Sequence, residues 1–194
     1  MEPVVVASLA AGWVVATGRC TSAGGWYHSR MPILPYLEHS PRVGPGVALA
    51  NDAFLVGRVQ VAGPALFEAS AVVRGDQNGI EVGPRFRMGR GSSIHVELPT
   101  PTLIGTDVWL GDDAVVHACT LGDGVRIEDG GLLLSNSSVG AGSIVAADSL
   151  VAEGVAFADN SYISGTPGRR LRDTTVEERA ETLRLVAAAL GHRG

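Results

Sequence analysis

Arg74, His95 and His117 share one setting in this chain: each directly follows a branched aliphatic residue, in Val73-Arg74, Ile94-His95 and Val116-His117. Neutral imidazole is the commonest protein ligand of zinc, so two histidines in one repeated setting suggest a divalent metal if the fold stacks them. Asp112, shortly before His117, is the candidate third donor. Two imidazoles and a carboxylate form a workable zinc set, and the same set serves non-haem iron. His28, His39 and His192 fall outside any such pattern and read as surface residues.

Stacking depends on the elements that carry these residues. A large apolar residue returns every sixth position: Val43, Leu49, Leu55, Val61, Phe67, Val73, then Val82, Met88, Ile94, then Ile104, Leu110, Val116. The register resumes one residue short as Leu121, Ile127, Leu133, Val139, Val145, Val151, Phe157 and Ile163. A helix needs period 3.6 and a two-sided strand period 2, so neither fits. Period six predicts a parallel β-helix of about seven rungs, each hexad supplying one strand and one corner. Small or β-branched residues two positions earlier, such as Ala53, Val59, Ala65, Ala71, Ser137, Ser143, Ser149 and Ser161, suit the tight interior beside each bend.

The register breaks at 74–81, at 95–103 and around 117–120. Counted as corner insertions, these breaks leave Val73, Ile94 and Val116 stacked in successive rungs, about 4.8 Å apart. The following residues, Arg74, His95 and His117, then point outward along one line. Asp112 lies in the rung of His117 but near a different corner. It reaches the equivalent pair on a neighbouring chain if subunits pack side by side about a threefold axis, so the spacing predicts a homotrimer with a shared site.

Composition fits one domain of 194 residues with 26 glycines. The net charge of −5 argues against nucleic acid or an anionic membrane as the main partner. All basic residues are arginine, which excludes lysine Schiff-base chemistry. Cys20 and Cys119 do not form a disulfide framework and favour a reducing cytoplasm; Cys119 reads as a buried small hydrophobe. Residues 1–30 read as an irregular extension, since the apolar run 4–18 lacks the basic start of an export signal, and Met31 is an alternative start. Residues 31–168 form the repeat domain. In 169–194 a basic linker (Arg169, Arg170, Arg172) precedes an amphipathic helix that starts with the capping box Thr175–Glu178, carries one apolar face through Val176, Ala180, Leu183, Ala187 and Leu190 to lie on its own β-helix or on a neighbouring copy's, and ends at Gly191.

The motifs Ala71-Val72-Val73-Arg74-Gly75-Asp76, Ser93-Ile94-His95, Val116-His117-Ala118-Cys119 and Gly165-Thr166-Pro167-Gly168 resemble those of the gamma-class carbonic anhydrases over 31–182. The resemblance implies an all-β fold: a left-handed parallel β-helix of hexapeptide repeats with a C-terminal α-helix. It also implies a homotrimer with zinc at each interface, iron or cobalt being alternatives, and reversible hydration of carbon dioxide to bicarbonate by metal-bound hydroxide. Arg74 and Asp76 match an interface ion pair with the arginine near substrate. The family's three zinc histidines match His95, His117 and, as a departure, Asp112. Its Asn-x-Gln-Asp stretch is replaced by Arg87-Met88-Gly89-Arg90, which removes the glutamine that orients the reacting water. An anionic ligand also leaves bound water less acidic, so weak hydration is expected. Glu97 reads as a solvated loop acid, a proton shuttle being the alternative, and Asp113 as a turn residue. Two other functions fit the repeat: a non-catalytic trimeric scaffold, and an acyl-coenzyme A transferase with His95 or His117 as general base.

Overall fold

The computed structural model of the chain describes residues 14–15 and 33–191. Most of the expected extension 1–30 therefore lies outside the described residues, as do Cys20, His28 and His192. The described part winds as a parallel β-helix whose short strands stack on three faces. On what we term the histidine face, Leu55, Val73, Ile94, Val116, Leu133 and Val151 are in register. The helix face stacks Leu49, Phe67, Met88, Leu110, Ile127, Val145 and Ile163. The open face stacks Val43, Val61, Val82, Ile104, Leu121, Val139 and Phe157.

These are the residues that the period of six marks as interior. All are buried except Leu49 and Phe157, which are half-buried near the two ends of the coil and still pack on the core. Full burial of one such aliphatic side chain contributes roughly 1.5–3 kcal/mol, which makes this column the main stabilising element. Ile33 stacks on Leu55 and is also buried, so the coil starts earlier than Val43. Ala53, Val59, Ala65, Ala71, Ser137, Ser143, Ser149 and Ser161, two places before interior residues, are buried too, and the hydroxyls of Ser137 and Ser161 donate to nearby carbonyls of Leu134 and Ala158. A buried hydroxyl left without a partner would destabilise the corner.

The corners follow a rule of their own. The third residue after an interior residue repeatedly has positive φ, as at Asp107, Asp113, Asn136, Asp148 and Asn160 and at Gly91, Gly124, Gly130 and Gly142. Glycine, asparagine and aspartate enter that left-handed region at lowest cost, which explains the recurrent residue types. Asp113 accordingly serves as a turn residue. In the shortened hexad the turn comes one place earlier, at Ala118.

After the last rung the expected linker is a strand instead: Gly168–Asp173 runs antiparallel to Ser161–Gly165. The guanidinium of Arg172 stacks on Tyr162, 4.1 Å from the ring centre. Helix α1, Val176–Gly191, starts with the expected reciprocal cap. The Thr175 amide donates to Glu178 Oε2 at 2.8 Å and the Glu178 amide to Thr175 Oγ1 at 3.2 Å. The helix lies against strands Ala65–Phe67, Phe86–Met88 and Trp109–Leu110 on the helix face. It buries Thr182 and Val186, whereas Val176 and Leu183 from the expected stripe are exposed. No helix among the described residues is long and apolar enough to cross a membrane.

Candidate metal centre

Strand pairing sets Arg74 beside His95 and His95 beside His117, one rung apart each, as the counted corners predict. The imidazole ring centres are 6.1 Å apart. Burial, with the neighbouring His117 and Arg74 adding to it, holds the His95 pKa below the usual histidine value and favours the neutral, ligating form. Arg74 pairs with Asp76 at 2.5 Å, the arginine largely exposed and the aspartate mostly covered.

Two corner insertions wall this column. The segment 96–101 is tied down on both sides. Asn78 Nδ2 donates to the Pro99 carbonyl at 2.8 Å, and Thr100 Oγ1 donates to Asn136 Oδ1 at 2.5 Å. Within it, Glu97 Oε2 stands 3.4 Å from His117 Nε2. Its side chain stays exposed, as expected of a solvated loop acid, while lying beside the histidine column. Hydrogen bonds from Ser135 and His117 lower its pKa. Loop insertions lack periodicity, so only the nearness of Glu97 to His95 in sequence hinted at this position.

Asp112 sits at the corner between the helix face and the histidine face, away from its own chain's imidazoles. Its Oδ1 accepts Arg87 Nη2 at 2.8 Å and the Arg90 amide at 3.1 Å. Among the described residues Oδ2 carries no hydrogen bond. Asp112 also belongs to a ladder that sequence reading missed. Asp123 accepts the Thr106 amide, Asp129 the Asp112 amide and Asp159 the Ala141 amide, each one rung back. The sequence signal was an aspartate two places after an interior residue.

Arg87 is 6% exposed and uses every arm of its guanidinium. It donates to Glu68 at 2.8 Å, to the Leu110 carbonyl at 2.9 Å and to Asp112, and it lies 4.2 Å from the Trp109 ring centre. Gly89, where the resembled family has glutamine, leaves no room for that side chain. A Cβ there would lie 2.5 Å from the Gly111 carbonyl carbon and oxygen. Cys119 is buried, and burial pushes its thiol up to about 12, which makes it inert.

The donor chemistry fits a divalent ion: two stacked imidazoles, one kept neutral, with a carboxylate at hand. Among the described residues of one chain, no three His, Cys, Asp or Glu side chains already converge as a metal-binding group.

Fold and column together define a hexapeptide-repeat β-helix protein. No protein-family model matches the chain. Gamma carbonic anhydrase 2, mitochondrial, of Arabidopsis thaliana is 32% identical over 152 residues, covering 75% of this chain and 55% of that protein. The chain therefore spans about half the length of that relative. Protein YrdA of Escherichia coli is 28% identical over 153 residues, covering 75% of this chain and 83% of its own. The crystal structure of a hexapeptide transferase family protein from Anaplasma phagocytophilum superposes with TM-score 0.78 at 29% identity, covering 82% of this chain and 94% of that one. These likenesses support a gamma-carbonic-anhydrase-like hexapeptide-repeat family for the chain, and its coil is the left-handed β-helix that such neighbours fit.

Proposed function

We propose that this chain assembles as a homotrimer holding a divalent ion, zinc in first place, at each subunit interface, and that it hydrates carbon dioxide reversibly and weakly. The observation that carries this reading is the pairing of His95 with His117 in adjacent rungs. The surface around them supports a second copy as partner. Outward-facing Phe54, Val72, Val115, Leu132 and Leu150, with Ser93 between Val72 and Val115, form a largely apolar strip, with Val56 and Leu134 continuing the histidine column above and below. Among the described residues the only helix lies on another face. An apolar strip of this kind marks an interaction surface, and a neighbour that covers it brings the corner of its own Asp112 towards the histidines.

In this arrangement His95 and His117 hold the ion and Asp112 Oδ2 of the neighbour approaches it, while Oδ1 stays with Arg87. When bound, the ion supplies Lewis acidity that lets water act as a nucleophile near neutral pH. Arg74, fixed by Asp76, offers a guanidinium to the developing bicarbonate charge. Glu97 is placed to accept a proton. The crowding at Gly89 means that no glutamine orients the water, and an anionic donor lowers its acidity, so the rate is low. The reading includes a cytoplasmic location and no nucleic-acid or membrane partner.

The engagement of Asp112 by Arg87 favours one alternative, a trimer without catalysis. The transferase name of the Anaplasma neighbour raises another, acyl transfer with a single histidine as base. Stopped-flow hydration assays on zinc-loaded protein, alongside metal analysis, test the reading. The expected result is one ion per chain and a rate above buffer that His117→Ala abolishes. Bound metal with a rate equal to buffer means the scaffold. Metal-independent turnover of acetyl-coenzyme A, lost in His117→Ala, means acyl transfer.

A further inference from the structure

Away from the histidine column, at the first rungs of the coil, two arginines share a hollow without carboxylates of their own. A concave cavity of about 240 Å3 is lined by Glu38, His39, Ser40, Arg42, Arg58 and Gln60. Strand pairing builds one wall. Arg42 lies beside Gln60 of the adjacent rung, and Arg58 and Gln60 are both exposed, on one side of strand Phe54–Val61. A tight turn builds the other wall: the Tyr36 amide donates to the His39 carbonyl at 2.8 Å, and the His39 amide to the Tyr36 carbonyl at 3.0 Å.

His39 Nε2 accepts an Arg58 amino group at 2.5 Å, which fixes that guanidinium at the cavity wall. The Arg58 stem runs past Gly79, where a Cβ would lie 3.5 Å from its Cδ. Among the described residues neither Arg42 nor Arg58 forms an ion pair, whereas most other arginines hold a carboxylate. Outside the described residues the sequence has only one acid, Glu2. Glu38, the one carboxylate on the lining, is 74% exposed and leans on His39 at 3.2 Å. Two guanidiniums thus face one carboxylate in a shared hollow. Like charges so placed repel, and an anion between them removes that cost.

We infer that this cavity is a binding site for a phosphate group, free or terminal on a small ligand. A guanidinium donates in pairs to the oxygens of such an anion. Two of these forks, the Ser40 hydroxyl and the Gln60 amide supply donors from several directions. The tetrahedron of phosphate oxygens can meet them all, whereas a carboxylate offers its oxygens in one plane. The volume admits a phosphate with few attached atoms, since sites for drug-sized ligands run about 300–1,000 Å3. The cavity borders the candidate metal centre without sharing a residue with it: Val56 pairs with Arg74 and Gly57 with Gly75, just before Arg58. The inference stands apart from the metal and trimer readings.

Calorimetric titration of the full chain with inorganic phosphate at low ionic strength tests this. The expected result is one site per chain that Arg42→Gln and Arg58→Gln each weaken at least about tenfold. Both side chains are exposed, so an unchanged thermal melt is expected beside the lost affinity. Glu38→Gln removes the opposing charge and is expected to tighten binding about twofold. Arg85→Gln, at a different corner where Arg85 pairs with Asp107, is expected to leave binding unchanged. Tighter binding of glycerol 3-phosphate than of inorganic phosphate supports a site for a ligand's terminal phosphate, and the reverse supports one for the free anion. No saturable binding at about 10 mM phosphate, where a millimolar site is mostly filled, overturns the site. So does binding that Arg42→Gln and Arg58→Gln leave unchanged, or that Arg85→Gln weakens equally. Malonate, a dianion built of carboxylates, binding as tightly as phosphate overturns the assignment to phosphate.

Discussion

The histidine face and the helix face are built on the same inward pattern, yet their outward residues have different fates. On the helix face, Leu66, Arg87 and Trp109 lie in the strands beneath α1, and Arg87 is buried in a web of two carboxylates, a carbonyl and an indole. On the histidine face, outward Val72, Val115, Leu132 and Leu150 sit half-buried in the single chain. The open face is different again, with Gln60, Glu81 and Thr120 exposed at the equivalent places. Interior residues specify the coil, and outward ones specify what each face meets.

The largest expected effect is on assembly. If the proposed trimer forms, Leu132→Arg should break it and give the mass of a 20.0 kDa chain by light scattering, while Ser138→Arg on the open face should leave it intact. A trimeric Leu132→Arg would show that the apolar strip is not the contact. Next comes Arg87→Met on the covered face. It leaves Glu68 and Asp112 without their cation and is expected to cost about 3 kcal/mol in denaturant unfolding, towards the low end for a buried pair because both carboxylates are partly exposed. A loss below about 1 kcal/mol would reduce the web to surface decoration.

The helix supplies a finer contrast. Val186→Ala should cost about 2 kcal/mol, and Leu183→Ala under about 0.5 kcal/mol in the isolated chain. A larger loss at Leu183 would mean that the exposed stripe is covered in the assembly. The smallest effect concerns Glu178, whose carboxyl the Arg172 guanidinium and the Thr175 amide hold at about 2. A depressed acid stabilises the fold above its ordinary value near 4.5 and loses that contribution as pH falls towards about 2. Glu178→Gln should therefore cost about 1 kcal/mol at pH 7, after allowance for solvent screening, and almost nothing near pH 2. An equal loss at both pH values would assign the effect to the cap hydrogen bond rather than to charge.

The interior was readable because one residue in six must fill it, and the period survives every insertion. Counting insertions as corners was enough to align His95 with His117. The site's carboxylates were harder. Asp112 was read for its place opposite a neighbour, while its bond to Arg87 depends on a partner twenty-five residues away that no period links to it. Glu97 sits in an aperiodic insertion, whose path is set by Asn78 and Asn136 in other rungs. The helix misled because alanines and leucines lie on several of its sides, and the side that packs centres on a polar residue, Thr182. The strand Gly168–Asp173 was hidden by its arginines, which make an edge strand look like a linker.

That strand bears on how long such a coil can grow. A solenoid whose rungs repeat ends in a rung like any other, with backbone donors and acceptors facing along its axis and ready to template another molecule. Here the final strand on the helix face, Ser161–Gly165, is matched by a return strand of opposite direction carrying Arg169, Arg170 and Arg172. A parallel rung from a second molecule finds that edge taken, and the next edge outward is charged and antiparallel. The last strands on the other two faces, Leu150–Val151 and Ala156–Phe157, are only two residues long. The hairpin thereby occupies one edge of the last rung and is expected to oppose end-to-end growth of the coil.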